Sequence, residues 1–186
     1  MNTLQKRLFA FVAVVMLLAA TIFASVATTN AQSRNRKSLT EQVRKELVTL
    51  PWIGVFDNLA YKVEGDTVTL YGSVVRPTSR RDAERRVAKL NGVSNVVNNI
   101  EVLPLSRFDD DVRYAALQNI SNTGGLYRYF LGANPSIRIV VNRGNISLEG
   151  IVANRGDANL AYIAARQVPG AFSVTNNLIV ENERRQ

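Results

Sequence analysis

Shifted by 78 residues, the sequence lies on itself. TVTLYGSV at Thr67–Val74 falls on NISLEGIV at Asn145–Val152, and GVSNVVNNIEV at Gly92–Val102 falls on GAFSVTNNLIV at Gly170–Val180, with no gap between the two matches. Identities at this offset, among them Leu70, Gly72, Ala83, Gly92, Val96, Asn98, Asn99 and Val102, coincide with the apolar pattern. Self-similarity at a fixed spacing marks one supersecondary unit used more than once. The chain therefore has to fold as two copies of one module, and a reading of one copy must hold for the other.

In the first copy, Leu39, Val43, Leu47 and Leu50 form one helical stripe that starts at Ser38 or Thr40 and ends at Pro51. Leu59, Tyr61 and Val63 then alternate with Ala60 and Lys62, and Glu64-Gly65-Asp66 turns the chain into a second strand. In that strand Val68, Leu70 and Val74 face one way and Thr67, Thr69, Tyr71 and Ser73 the other, as in a sheet buried on one face. A helix with Ala83, Val87 and Leu90 inward, closed by Asn91-Gly92, leads to a third strand near 96–103. The second copy repeats the order. Asp109 to Asp111 would cap its first helix, Ile137, Ile139 and Val141 mark strand one, and Ile146, Leu148 and Val152 the inner face of strand two. A helix near 157–168 and a strand near 172–180 complete it. The pattern predicts an α+β fold of two tandem α-β-β-α-β modules. The crossover helix makes strands two and three parallel, so each module is a mixed three-stranded sheet with two helices packed on one face.

The 186 residues contain neither Cys nor His. That removes the commonest zinc ligands, the cysteine nucleophile, the Ser-His-Asp triad and the imidazole base together. No GxGxxG or GxxxxGK[ST] loop occurs, and Asp109-Asp110-Asp111 lacks the spacing of a calcium loop. The reading is a protein without enzymatic activity, cofactor or metal. A formal charge of +8 points instead toward polyanions.

Part of that charge belongs to the N-terminus. Lys6 and Arg7 precede an apolar run from Leu8 to Ala24, and small residues follow at Thr29 and Ala31. This reads as a secretory signal peptide over 1–31, cleaved before Gln32, with Ser25 and Ala27 as an alternative site. The run is also at the lower limit of spanning length, so retention as an anchor is the competing reading. Cleavage would remove two basic residues and no acid, lowering the charge from +8 to +6. A polar leader at 32–37, a first domain at 38–104, a linker at 105–107, a second domain at 108–182 and a tail at 183–186 complete the expected organisation.

The VTL-x-G-x-V segment at Val68–Val74, followed by a helix and then by Gly92-Val93 with Val96, Asn98, Ile100 and Val102, resembles the BON domain. Ile146-Ser147-Leu148-x-Gly150 and Gly170 with Val174, Asn176, Leu178 and Val180 repeat the resemblance in the second copy. Two such units behind a signal peptide are similar to the exported dual-BON proteins of OsmY-like and DolP-like type. The resemblance implies a periplasmic location. It also implies association with anionic phospholipid or an envelope protein, support of envelope integrity or stress tolerance, and no catalytic motif. Chaperone-like action on exported polypeptides is the alternative that the same resemblance carries. Ala171 in place of the usual Val, and an insertion in the second copy, depart from the pattern.

Two surface features could serve such binding. Arg81, Arg85 and Lys89 share one stripe at i, i+4 spacing and would suit a polyanion or simply a solvated face. The nine residues that the second copy adds between its first helix and first strand fall in Gly124–Gly132, where Leu126, Tyr127, Arg128, Tyr129 and Phe130 cluster. Aromatic rings with an arginine suit a lipid interface, and equally the cover of one end of a core. Trp52 poses the same choice. Nucleic acid is excluded by the export signal and by the lack of an aromatic nucleotide-binding motif. Gly72 and Gly150 are expected to let a helix approach the sheet, and Gly92 and Gly170 to close helices. Asn98 and Asn176 point inward and need partners at the Asn91-Gly92 or Pro169-Gly170 turn or at a helix end. Leu160, Ile163 and Ala164 make the last helix apolar beyond its own sheet and predict a further contact there.

Overall fold

The computed structural model describes residues 39–181. The segments read as a signal peptide, a polar leader and a tail lie outside the described residues. The first module begins with helix α1 (39–48). Strand β1 (Asn58–Glu64), strand β2 (Thr67–Val74), helix α2 (Pro77–Val87) and strand β3 (Asn95–Val102) follow. The second module consists of helix α3 (Arg107–Ser121), a 3-10 turn at Leu126–Phe130, strands β4 (Ile137–Asn142) and β5 (Asn145–Val152), helix α4 (Arg155–Arg166) and strand β6 (Ser173–Val180). Each sheet has its middle strand second in sequence, antiparallel to the strand before it and parallel to the strand after the crossover helix. The mixed three-stranded sheets read from the sequence are present in both copies.

The period-two faces are those expected. Val68, Leu70 and Val74 on β2, and Leu148 and Val152 on β5, are buried, while Thr69 and Tyr71 lie on the opposite side of their sheet. Val43 and Leu47 of α1 and Ala83 and Val87 of α2 supply the helical side of the first core. In the second module Val112, Ala116 and Ile120 of α3 and Ala158, Ala161 and Ala165 of α4 pack over Ile137, Ile139, Ile146 and Leu148. Alanines on α4 let two helices and a sheet meet closely; the long apolar residues sit on the sheet instead.

Expectations about particular residues are corrected or narrowed at several positions. Gly72 and Gly150 do not make room for a helix. Both have positive φ, +108° and +117°, and a Cβ there would lie 2.0 Å from the carbonyl oxygen of Asn58 or Ser136, where strand one of the same module starts. The glycine is required by the neighbouring strand's backbone. Asn98 and Asn176 find their partners at a helix end, one of the expected places, rather than at either turn: their side-chain amides donate to the carbonyls of Arg80 at 3.1 Å and Ala158 at 3.1 Å, in the first turns of α2 and α4. Their Oδ1 atoms accept from the amides of Ile100 and Leu178 at 3.2 Å. Each asparagine thus pins a crossover helix to the strand that follows it, at the same place in both repeats. Ser106, not the aspartate run, caps α3 by accepting from the Asp109 amide. Within the chain Leu160 and Ile163 remain exposed, at 38% and 52%, while Ala164 is buried, so the first copy does not supply the further contact expected there. Gly92 and Gly170 do have positive φ, but in the turns that follow α2 and α4 rather than at the last helical residue.

The two modules are braced against each other by residues 53–57. Val55 offers its carbonyl to the Ile139 amide at 2.8 Å, covering a bonding position on β4. Gly54 offers its carbonyl to Arg138 Nη1 at 2.6 Å. Val55 and Phe56 pack against the second module's core, with the Phe56 ring edge-on to Tyr114 at 5.4 Å. Asp57, buried, holds this segment to its own module by accepting from the amides of Gly54 at 2.9 Å and Val75 at 2.8 Å.

Candidate functional site

At one end of the second module three turns converge. α3 starts there, β4 turns into β5 there, and α4 hands over to β6 there. Asp109, 1% exposed, fastens the first to the second: its carboxylate accepts from the Arg143 amide at 2.9 Å and the Gly144 amide at 2.7 Å. Both turn residues have positive φ, 51° and 75°, a two-residue hairpin geometry that suits Gly but strains Arg. The Phe172 amide donates to the Gly144 carbonyl at 2.8 Å and fastens the third turn.

This clamp displays an apolar tip. Phe108, on the second residue of α3, and Phe172, before β6, stack with centroids 5.6 Å apart. They lie over Gly144 and Gly170, where a Cβ would meet the rings at 2.7 Å and 3.2 Å. Phe172 is 73% exposed, Phe108 45% and the preceding Leu105 90%. Pro104 and Arg143 join the two rings around a shallow, open depression of about 370 Å³. Exposed Arg107 stands next to Phe108 in the chain. Large apolar side chains held outward by a rigid backbone, with guanidinium groups beside them, can enter the interfacial layer of a membrane while the charges meet phosphates. The first copy has Ser94 where the second has Phe172, so the tip belongs to one module only.

The aromatic segment of the insertion is disposed differently. Leu126 and Tyr129 are buried in the core of the second module and Phe130 packs against it, which removes Leu126 and Tyr129 from any contact surface. The expectation of a binding loop is corrected for these residues: a 3-10 turn puts Leu126 and Tyr129, three residues apart, on one face that closes the core. Tyr127 and Leu131 stay exposed. Arg128 is engaged with Asp157 at 2.5 Å, and Tyr129 OH donates to the same carboxylate oxygen at 2.5 Å while accepting from the Ala153 amide at 3.0 Å. Hydrogen bonding by Tyr129, aided by Arg128 and Asn154 and opposed by burial, holds the Asp157 carboxyl below its ordinary pKa. The group is a latch between the insertion and α4.

Arg81, Arg85 and Lys89 are exposed along α2 and the turn after it, as the stripe requires. Arg85 pairs with Asp82. Arg81 and Lys89 make no hydrogen bond or ion pair among the described residues. Trp52 is no core cap: it is 72% exposed, has φ of 70°, and carries the Arg76 guanidinium over its ring at 5.2 Å. Phe108 and Phe172 were not singled out by sequence pattern. The available signal was a large aromatic in the tight turn after Gly170, where the other repeat has a small polar residue.

Among the described residues no helix is long and apolar enough to cross a membrane. No curated protein matches the chain. Solved structures that are similar at low level include two of one protein. One, the C-terminal domain of CdsD, the structural protein of the type III secretion system of Chlamydia trachomatis, has 10% identity and a TM-score of 0.32, covering 75% of this chain and 96% of that one. A second structure of CdsD has 11% identity and a TM-score of 0.31, covering 80% and 95%. The BON domain model matches residues 35–104, the first repeat, and 128–182, the second repeat from its insertion onward. This is a non-catalytic domain type associated with envelope and phospholipid-binding proteins. With both sheets, both asparagine pins and both strand-two glycines in equivalent places, the chain belongs to the BON domain family.

Proposed function

We propose that this protein is a non-enzymatic envelope component, exported to the periplasm by its N-terminal segment, whose second module docks on an anionic phospholipid surface and so supports envelope integrity. The observation that carries the reading is the outward-held trio Leu105, Phe108 and Phe172 beside Arg143. Transferring such a side chain from water into an apolar layer is worth about 1.5–3 kcal/mol when complete. A basic residue near an anionic surface adds about 1 kcal/mol. The tip and its arginines together suit reversible, peripheral binding rather than insertion.

Flotation with phosphatidylglycerol-containing vesicles tests it. The exported chain should float with these and less with pure phosphatidylcholine, and added salt should weaken the association. Phe172→Ser should lower the partition coefficient about tenfold, with unfolding unchanged because the ring is mostly in solvent. Flotation of Phe172→Ser equal to that of the parent would sink the proposal. In the same assay, replacing Arg81, Arg85 and Lys89 by Gln should weaken binding by about 1 kcal/mol per charge if α2 also lies on the surface. Unchanged binding would make that stripe a solvated face.

A second reading, a chaperone-like or protein-interaction module for exported polypeptides, draws on a different patch. Leu160 and Ile163 form an exposed apolar row on α4, and Tyr127 and Leu131 are exposed on the insertion. Suppression of client aggregation by a chain that does not float, lost in Ile163→Glu, would favour it.

A further inference from the structure

We infer that the cleft between the two modules binds a small amphiphilic anion: a carboxylate or phosphate carried on a short apolar chain. The cleft encloses about 480 Å³, within the ~300–1,000 Å³ that small-molecule sites occupy, and such sites favour the junctions of domains. It is separate from the Phe108–Phe172 tip, and the inference does not rest on the membrane reading.

Arg138 of β4 is the centre of the site. Its Nη1 is committed to the Gly54 carbonyl at 2.6 Å, which fixes the plane of the guanidinium. Its Nε and Nη2 make no hydrogen bond among the described residues, and it has no ion-pair partner there. The side chain is half-buried, and burial pushes the guanidinium below its ordinary pKa, with the Asp57 charge opposing the shift. Asp57 lines the same cleft, but each of its oxygens already accepts a backbone amide. An immobilised guanidinium whose Nε–Nη2 edge is open is a fork for two oxygens of a carboxylate or phosphate. Arg44 on α1 is a second basic residue in the wall. The remaining walls decide the rest of the ligand. Val48, Ile53 and Leu59 also line the cleft, so an inorganic anion would leave apolar surface wet, whereas an alkyl chain would cover it.

Calorimetric titration of the exported chain with decanoate and with decyl phosphate, both below their micelle concentrations, tests the inference and separates the two head groups. One site is expected for at least one of them, with decanol and acetate at least about tenfold weaker, since each lacks one half of the ligand. Backbone amide shifts should centre on Leu59, Asn134 and Arg138. Arg138→Lys keeps the charge and a donor for Gly54 but loses the fork, and should weaken binding at least about fivefold with the melting temperature unchanged. Should that variant fail to fold, Arg44→Gln, on an exposed helical position, should still weaken binding. Absence of binding by both amphiphiles overturns the inference. So does binding that acetate or decanol matches, that neither arginine variant alters, or that shifts Phe108 and Phe172 instead. Phe172→Ser, which tests the membrane proposal, should leave this titration unchanged.

Discussion

Gly150→Ala should leave the second module unable to fold at ordinary temperature, with a loss of about 4 kcal/mol that exceeds the cost of its backbone conformation alone. Two effects add at this position. The φ of +117° is one that residues with a Cβ seldom adopt, and the Cβ would sit 2.0 Å from the Ser136 carbonyl oxygen. That oxygen cannot retreat, because it accepts the Ile151 amide at 3.0 Å and thereby closes the end of the β4–β5 pairing. Gly72 meets the Asn58 carbonyl in the same way, so Gly72→Ala should do to the first module what Gly150→Ala does to the second. Gly92→Ala separates the two effects, since its φ of +92° carries the strain while nothing stands within 4 Å of its Cβ. It should cost about 1–2 kcal/mol. Urea unfolding of the three variants measures the difference directly. Equal losses at Gly150 and Gly92 would mean that the strand-one carbonyl yields, and the steric account would fail.

The same comparison shows which parts of the fold were legible in the residues. Strand faces and helical stripes were, because burial on one side imposes a period that Val68, Leu70 and Val74 carry openly. Each of Asn98 and Asn176 was legible as a need for partners, with a helix end among the expected addresses, but the particular carbonyl was not. It is a helix carbonyl eighteen residues back that only the crossover brings near. The strand-two glycines were conspicuous, yet their reason lies in the register of strand one, which places a carbonyl over them. At the surface the pattern misled for a physical reason. The Gly124–Gly132 segment is rich in aromatics, but a 3-10 turn turns Leu126 and Tyr129 into the core, so composition there reported burial rather than binding. Phe172 is a single ring in a turn, too short a signal for periodicity, and its exposure follows from the Asp109 clamp beneath it. Residues 53–57 have no regular period at all, and the brace they form between modules is set by main-chain carbonyls, which sequence does not mark.

That brace gives Asp57 an effect larger than its position in a loop suggests. Asp57→Ala should lower stability by about 3 kcal/mol, because the amides of Gly54 and Val75 lose a buried acceptor at a cost of ~1–3 kcal/mol each. The consequence reaches the other module. The segment that Asp57 holds is the one that presents the Val55 carbonyl to Ile139, the Gly54 carbonyl to Arg138 and the Phe56 ring to Tyr114. Val55 and Phe56 also complete the second module's core from outside its own repeat. While the brace holds, neither module should unfold without exposing apolar surface of the other, so the parent chain should melt in one transition seen equally by Trp52 fluorescence and by far-ultraviolet circular dichroism. In Asp57→Ala the two probes should separate. Trp52 then reports the first module, and the second melts on its own, weakened by the missing cover. Asp57→Asn, which retains one acceptor oxygen for the two amides, should fall between. A single transition in Asp57→Ala at the parent's midpoint would show that the carboxylate does not govern the brace and that the modules are coupled by other contacts.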